Sequence, residues 1–350
     1  MKIMAYSSIT KPGLHFSPVI YTGNGSTQSI TGVGFQPDWV WIKALNNSRN
    51  SRLTDVINGV GKNLFSDANS VLTTNADGVT AFGADGFSVG NGNGFNANTE
   101  THAAWNWKAS NSQGSSNTDG STNTTYTSVN STAGFSISQY EGTGSNATFG
   151  HGLGVTPAMV LVKNIDATQN WFMYHQGIGA TQLLRLNSTS GKISSSTSWN
   201  NTAPTSSVVS IGTEAGTNQN GSTHMAWCFA EKKGYSKFGT YTGNGNADGT
   251  FIYLGFRPAF IMVKSTNTTT EWHMSDVARR PENPNNSYVS ASSNAVENTS
   301  NPTDFLSNGV KIKTSNNGWN KSGDTFIYWA FAENPLVANV GANGIPATAR

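Results

Sequence analysis

One cysteine, Cys228, stands in a chain of 350 residues, so no disulfide can form within it. Charged residues make up 11% of the sequence, well under the roughly 25% usual for soluble domains, and the net charge is +2. Such a balance gives no basic stripe for a phosphate backbone, which argues against nucleic-acid binding. No apolar run approaches the 18 residues of a membrane-spanning helix, so no membrane insertion is expected. Met1–Pro12 lacks the 7–15-residue apolar centre of a secretory signal, which points to synthesis in a reducing cytoplasm. Long stretches of Ala, Leu, Glu and Lys, the helix formers, are missing too.

Signatures of chemistry are equally scarce. The six histidines show no zinc-ligand spacing. Gly59-Val-Gly-Lys62 has Val56 where a phosphate-binding loop needs its first Gly, and Asn63 where it needs Ser or Thr. No Gly-x-Ser-x-Gly elbow frames a nucleophile, and no pair of carboxylates stands out for glycoside hydrolysis. Asn75-Ala-Asp-Gly78 and Asn244–Gly249 read as turns rather than calcium loops, having no closing Glu. Cys228 lies in the apolar run His224–Glu231 and reads as a buried thiol. No enzyme, cofactor or metal is expected.

What is abundant is glycine, with 38 residues, and aromatic side chains: 17 Phe, 10 Tyr and 10 Trp among uncharged Asn, Ser and Thr. Many short strands joined by tight turns suit that mixture. The pattern repeats three times. Tyr21-Thr-Gly-Asn-Gly25 returns as Tyr241-Thr-Gly-Asn-Gly245, with Tyr140-Glu-Gly-Thr-Gly144 between them. Gly34-Phe-Gln-Pro37, Gly154-Val-Thr-Pro157 and Gly255-Phe-Arg-Pro258 follow, each leading into an apolar run that ends at Lys43, Lys163 or Lys264. Aromatic runs around Ala104-Trp-Asn-Trp107, Ala226-Trp-Cys-Phe229 and Tyr328-Trp-Ala-Phe331 close the copies. Asp55, His175 and Asp276 each stand 18 residues after the motif proline. A position that accepts Asp or His suits a hydrogen bond to a loop backbone better than a shared catalytic step. Glu231 and Glu333 follow the closing run of two copies and read as structural caps.

The expected fold is all-β: three tandem sandwich or jelly-roll-like domains of roughly 100 residues. Their bounds are 14–108, 133–234 and 235–336, with an N-terminal segment 1–13, a polar linker 109–132 and a C-terminal tail 337–350. The linker, poor in apolar side chains, is expected to be flexible, with a surface loop packed on the first domain as the alternative. Domains two and three, joined by only Lys232–Ser236, are expected to meet as one rigid unit. Asn-Gly after each first strand predicts a type I′ hairpin turn. Trp39 and Trp41 should face one way and Val40 and Ile42 the other, in a strand buried on both sides.

The motifs Tyr21–Gly25, Gly34–Lys43, Ala104–Lys108, Gly234–Gly239, Tyr328–Pro335 and the end Pro346–Arg350 resemble a repeat-domain family common in marine bacteriophage genomes. The resemblance covers nearly the whole chain. It implies a non-enzymatic virion protein, tail fibre-like or receptor-binding, on the tail or capsid exterior. The implied partners are other virion proteins, a host cell-surface glycan or receptor, and further copies of the chain in a homo-oligomer. Polar loops rich in Asn, Ser and Thr suit hydrogen bonds to sugars. Trp199, Trp319 and Tyr288, aromatics outside the strand pattern, are the candidate ligand contacts, the alternative being that each covers its own domain's core. Capsid decoration is the alternative role, and polysaccharide depolymerisation a third that would need a carboxylate-lined groove.

Overall fold

Period-2 alternation decides where each strand sends its side chains, and here both faces of the strands are apolar. The computed structural model describes residues 7, 9–300 and 302–335; the tail 337–350 lies outside them. The fold is all-β, and no helix among the described residues exceeds four residues.

Each repeat builds one large antiparallel sheet with the same strand order: opening, closing, lysine and outer strand. In repeat 1 these are Phe16–Thr22, Thr101–Trp107, Trp39–Ala44 and Arg52–Asp55. In repeat 2 they are Phe135–Glu141, Thr223–Phe229, Met159–Asn164 and Phe172–His175. In repeat 3 they are Ser236–Thr242, Thr325–Pro335, Phe256–Ser265 and His273–Asp276. A smaller sheet covers one face of each. It is formed around Gln28–Ile30 and Gly86–Val89, Ala147–Gly150 and Val208–Ile211, or Phe251–Tyr253 and Gly309–Ile312.

The alternation explains the layering. Val40, Ile42 and Ala104 turn inward and pack with Ile30, Phe87 and Val89 from the small sheet of repeat 1. Val160, Val162 and Cys228 do the same in repeat 2, and Ile261, Val263 and Ala330 in repeat 3. The opposite faces meet one another. Trp39, Trp41, Trp105 and Trp107, then Met159, Leu161, Trp227 and Phe229, then Phe260, Met262, Trp329 and Phe331 form one shared core. Ring contacts cross every boundary: Trp39 to Trp227 at 5.7 Å, Phe229 to Trp329 at 5.5 Å, and Phe16 to Phe331 at 4.8 Å between centroids. The three repeats therefore form a single body around a common aromatic centre, not separate beads.

Backbone hydrogen bonds close this arrangement head to tail. Leu72 N–H of repeat 1 donates to the Ile165 carbonyl of repeat 2 at 2.9 Å. Lys192 of repeat 2 donates to Thr266 of repeat 3 at 2.8 Å, and Glu297 of repeat 3 to Leu45 of repeat 1 at 2.8 Å. The same strand end receives the same kind of loop three times, which is a heterologous contact that closes on itself. Indole N–H groups add to it: Trp171 donates to the Phe65 carbonyl at 2.8 Å and Trp272 to the Arg185 carbonyl at 3.0 Å.

Two sequence expectations are corrected. The segment 109–132 is not a flexible linker, because Thr124–Asn130 forms a strand paired antiparallel with Phe135–Glu141. Its hydroxyls and amides satisfy one another, as with Thr124 Oγ1 accepting from the Asn117 amide at 2.7 Å, so few apolar side chains suffice. At its start, Asp38 accepts from the amides of Ala109 and Asn111 at 2.6 and 3.1 Å, anchoring it to repeat 1. Nor is Tyr21–Gly25 a hairpin turn, since the strands on either side of it join different sheets. The motif docks instead on a one-turn helix: Asn93–Asn96, Ala215–Asn218 or Asn317–Asn320. Tyr21, Tyr140 and Tyr241 donate their hydroxyls to the Phe95, Thr217 and Trp319 carbonyls at 2.5, 2.6 and 2.7 Å. Gly23, Gly142 and Gly243 lie so close to the next carbonyl that an added Cβ would sit 2.1–2.2 Å from it. The motif is thus a clamp that only glycine can close.

Candidate ligand-binding groove

The aromatic residues expected to meet a ligand are placed differently by the fold. Trp199 is buried, packing edge-on to Tyr174 in the inner core of repeat 2. Trp319 is buried in the one-turn helix of repeat 3, stacked on His273 with centroids 5.4 Å apart. Tyr288 is half-buried against the same imidazole at 4.5 Å. Trp319 and Tyr288 therefore stand together and Trp199 stands apart. Both Trp residues pack into the cores of their repeats, which removes them as surface contacts.

The aligned Asp55, His175 and Asp276 are buried loop anchors. Asp55 accepts from the Ile57 and Asn58 amides at 3.0 and 2.8 Å. Burial still pushes its carboxyl up to about 6. His175 accepts from the Gly177 amide at 3.0 Å while its Nε2 meets the Tyr328 carbonyl of repeat 3 at 3.2 Å. Burial lowers this imidazole to about 4. Asp276 holds Arg279 Nε at 2.6 Å and the Trp105 indole of repeat 1 at 3.1 Å. These groups spend their hydrogen bonds on loop backbone and on repeat boundaries. Glu333 is not the strand-end cap expected: it lies within the closing strand Thr325–Pro335 and pairs with Arg257 of the neighbouring strand at 2.5 Å. The Cys228 thiol is fully buried and burial raises its pKa well above the ordinary value, so thiolate is suppressed. Among the described residues, no three His, Cys, Asp or Glu side chains come together as a metal site.

A different surface has the makings of a binding site. In Phe251-Ile-Tyr253 the central Ile252 turns into the core of repeat 3, which sends Phe251 and Tyr253 outward. Tyr253 is 51% exposed and Phe251 40%, among the most exposed large hydrophobic side chains of the described chain. Beside Tyr253 an open groove of about 320 Å³ runs along the junction of repeats 2 and 3, lined by Glu231, Lys233, Ser236, Lys237 and Tyr253. Lys237 Nζ donates to the Tyr253 carbonyl at 2.8 Å and lies 5.1 Å from the centre of its ring. That contact sets the ammonium over one face of the ring.

Repetition supplies an internal control on these residues. Sheet register places Ser29 and Thr148 where repeat 3 has Phe251, and Gly150 of repeat 2 where it has Tyr253, while the repeat 1 strand ends at Ile30, one residue short of that position. Ser17 and Ser136 occupy the position of Lys237. The fold is built twice without this aromatic pair or this lysine, so the fold does not explain them. The signal was present in the sequence as an apolar–apolar–apolar triplet whose outer members have no counterpart in the other copies.

Comparison with known proteins adds the family. No curated protein and no solved structure matches the chain. A single family model spans residues 11–335, all three repeats at once, as expected where the repeats share one core. The chain belongs to the family described as Domain of unknown function (DUF7483).

Proposed function

We propose that this chain is a non-enzymatic structural protein of a bacteriophage particle, tail fibre-like, whose third repeat presents a glycan-binding edge to the host surface. The setting rests on the sequence resemblance described above. The observation that carries the binding role is the exposed Phe251–Tyr253 pair beside a polar groove, found in one repeat of three. Aromatic faces with a few fixed polar groups are the usual means of holding a sugar ring, which offers an apolar C–H face and hydroxyls at its rim. The closed ring of repeats serves the same role by giving that edge a rigid base.

The test uses the fluorescently labelled full chain on a panel of immobilised bacterial envelope polysaccharides. Binding to some members, reduced at least tenfold by Tyr253→Ala and accompanied by no release of reducing sugar, is the expected result. Binding that Phe251→Ala and Tyr253→Ala both leave intact would move the site elsewhere. Release of reducing sugar would make the protein a depolymerase.

A further inference from the structure

We infer that the groove beside Tyr253 selects acidic saccharides, with the carboxylate of a uronic or sialic acid set against Lys237 and Lys233 and the sugar ring on Tyr253. The inference rests on the glycan-binding reading and narrows it to a substrate class. Its basis is the chemistry of the groove wall. The charged side chains that line the groove are two ammonium groups and one carboxylate, Lys233, Lys237 and Glu231, of which Lys237 meets the Tyr253 ring. The Glu231 carboxylate is exposed, with its Oε2 3.5 Å from the Phe238 amide. Lys237 is held against Tyr253 by its bond to the carbonyl, which uses one of its three N–H donors and leaves the charge over one face of the ring, with the opposite face for the sugar.

Neutral sugars are commonly gripped by carboxylate and amide side chains that accept from hydroxyls, and the wall here offers mainly donors. An anion accepts from those donors in charge-assisted hydrogen bonds, which are roughly twice as strong as neutral ones. Specificity then has a physical origin. A carboxyl-reduced sugar can still stack on Tyr253 but gains nothing from the fixed charge. The other repeats have Ser17 and Ser136 at the lysine position, so the cation and the platform occur together in repeat 3 alone.

The experiment measures affinity of the full chain for oligogalacturonate, oligomannuronate and sialyl-lactose, each beside its carboxyl-reduced form. At least one acidic probe should bind tenfold or more tightly than its reduced form, and the preference should shrink as salt rises. Lys237→Gln should abolish the preference while retaining weak binding of both forms, whereas Tyr253→Ala should weaken both together. Equal affinity for acidic and reduced forms, still sensitive to Tyr253→Ala, would overturn the acidic preference and leave the glycan-binding reading standing. A preference that survives Lys237→Gln together with Lys233→Gln would also overturn it. Failure of every probe, acidic and neutral, would defeat both readings. Both lysines lie at the surface, and an unchanged melting temperature verifies that the variants fold.

Discussion

Replacing Trp227 by Ala should destabilise all three repeats at once. The indole is fully buried in the closing strand of repeat 2, with its ring 5.3 Å from Trp171 of the same repeat and 5.7 Å from Trp39 of repeat 1. Truncating a buried Trp costs about 3–5 kcal/mol through lost transfer energy and the cavity left behind. Each aromatic pair lost adds about 0.5–1.5 kcal/mol. A total of about 4–8 kcal/mol is a large part of the stability of a typical protein, about 5–15 kcal/mol. Because Trp39, Phe229 and Trp329 lie in the same core, the loss cannot stay within repeat 2. Urea unfolding followed by tryptophan fluorescence and by far-UV circular dichroism should show one transition for the native chain. In the variant that whole transition should move to lower urea. Two or three separate transitions, with only one shifted, would refute the shared core.

Other expectations follow from the repeated details. Gly142→Ala places a Cβ 2.2 Å from the Gln219 carbonyl and should cost more than about 2 kcal/mol of stability by denaturant titration, since the clamp must open to admit it. Asn218→Ala removes bonds to the Thr143 amide and to the Ser145 and Gly212 carbonyls, at 2.7, 2.6 and 2.6 Å. It should cost about 2–4 kcal/mol, measured the same way. Lys43, Lys163 and Lys264 are held by burial at about 8, below their ordinary 10.5. Between those values the unfolded chain binds more protons than the folded one, so these lysines make stability rise with pH through that window. That contribution is complete above 10.5 and is lost as pH falls through 8. Buried tyrosines and Cys228, whose pKa values are raised, act with the opposite sign from about pH 9 upward, so the comparison is between native chain and Lys163→Met from pH 7 to 9. The variant should show the shallower rise, and identical slopes would contradict the assignment.

Much of this architecture was legible in the sequence. The repeated Tyr-x-Gly-x-Gly and Gly-x-x-Pro words gave three copies, and the strand Trp39–Ala44 read as buried on both faces. What covers the second face was not legible, because Trp39 and Trp41 look the same whether they pack on their own domain or on a neighbour. The clamp was misread as a hairpin because Asn-Gly is a strong turn signal, and its real partner, Asn96, lies 72 residues away from Asn24. Thr124–Asn130 reads as linker through its lack of apolar side chains, although Thr, Tyr and Val within it favour strands. Trp199 and Trp319 stand alone among polar residues and so looked exposed, whereas Phe251 and Tyr253 were hidden by lying inside a strand. Comparing the copies position by position, rather than motif by motif, isolates the latter pair.

The most direct test of the proposed role is electron microscopy of purified particles of the phage whose genome carries this sequence, with gold-labelled antibody raised against the full chain. Label at the tail tip or its fibres is the predicted result. Label spread over the capsid, or no label on intact particles, would contradict it.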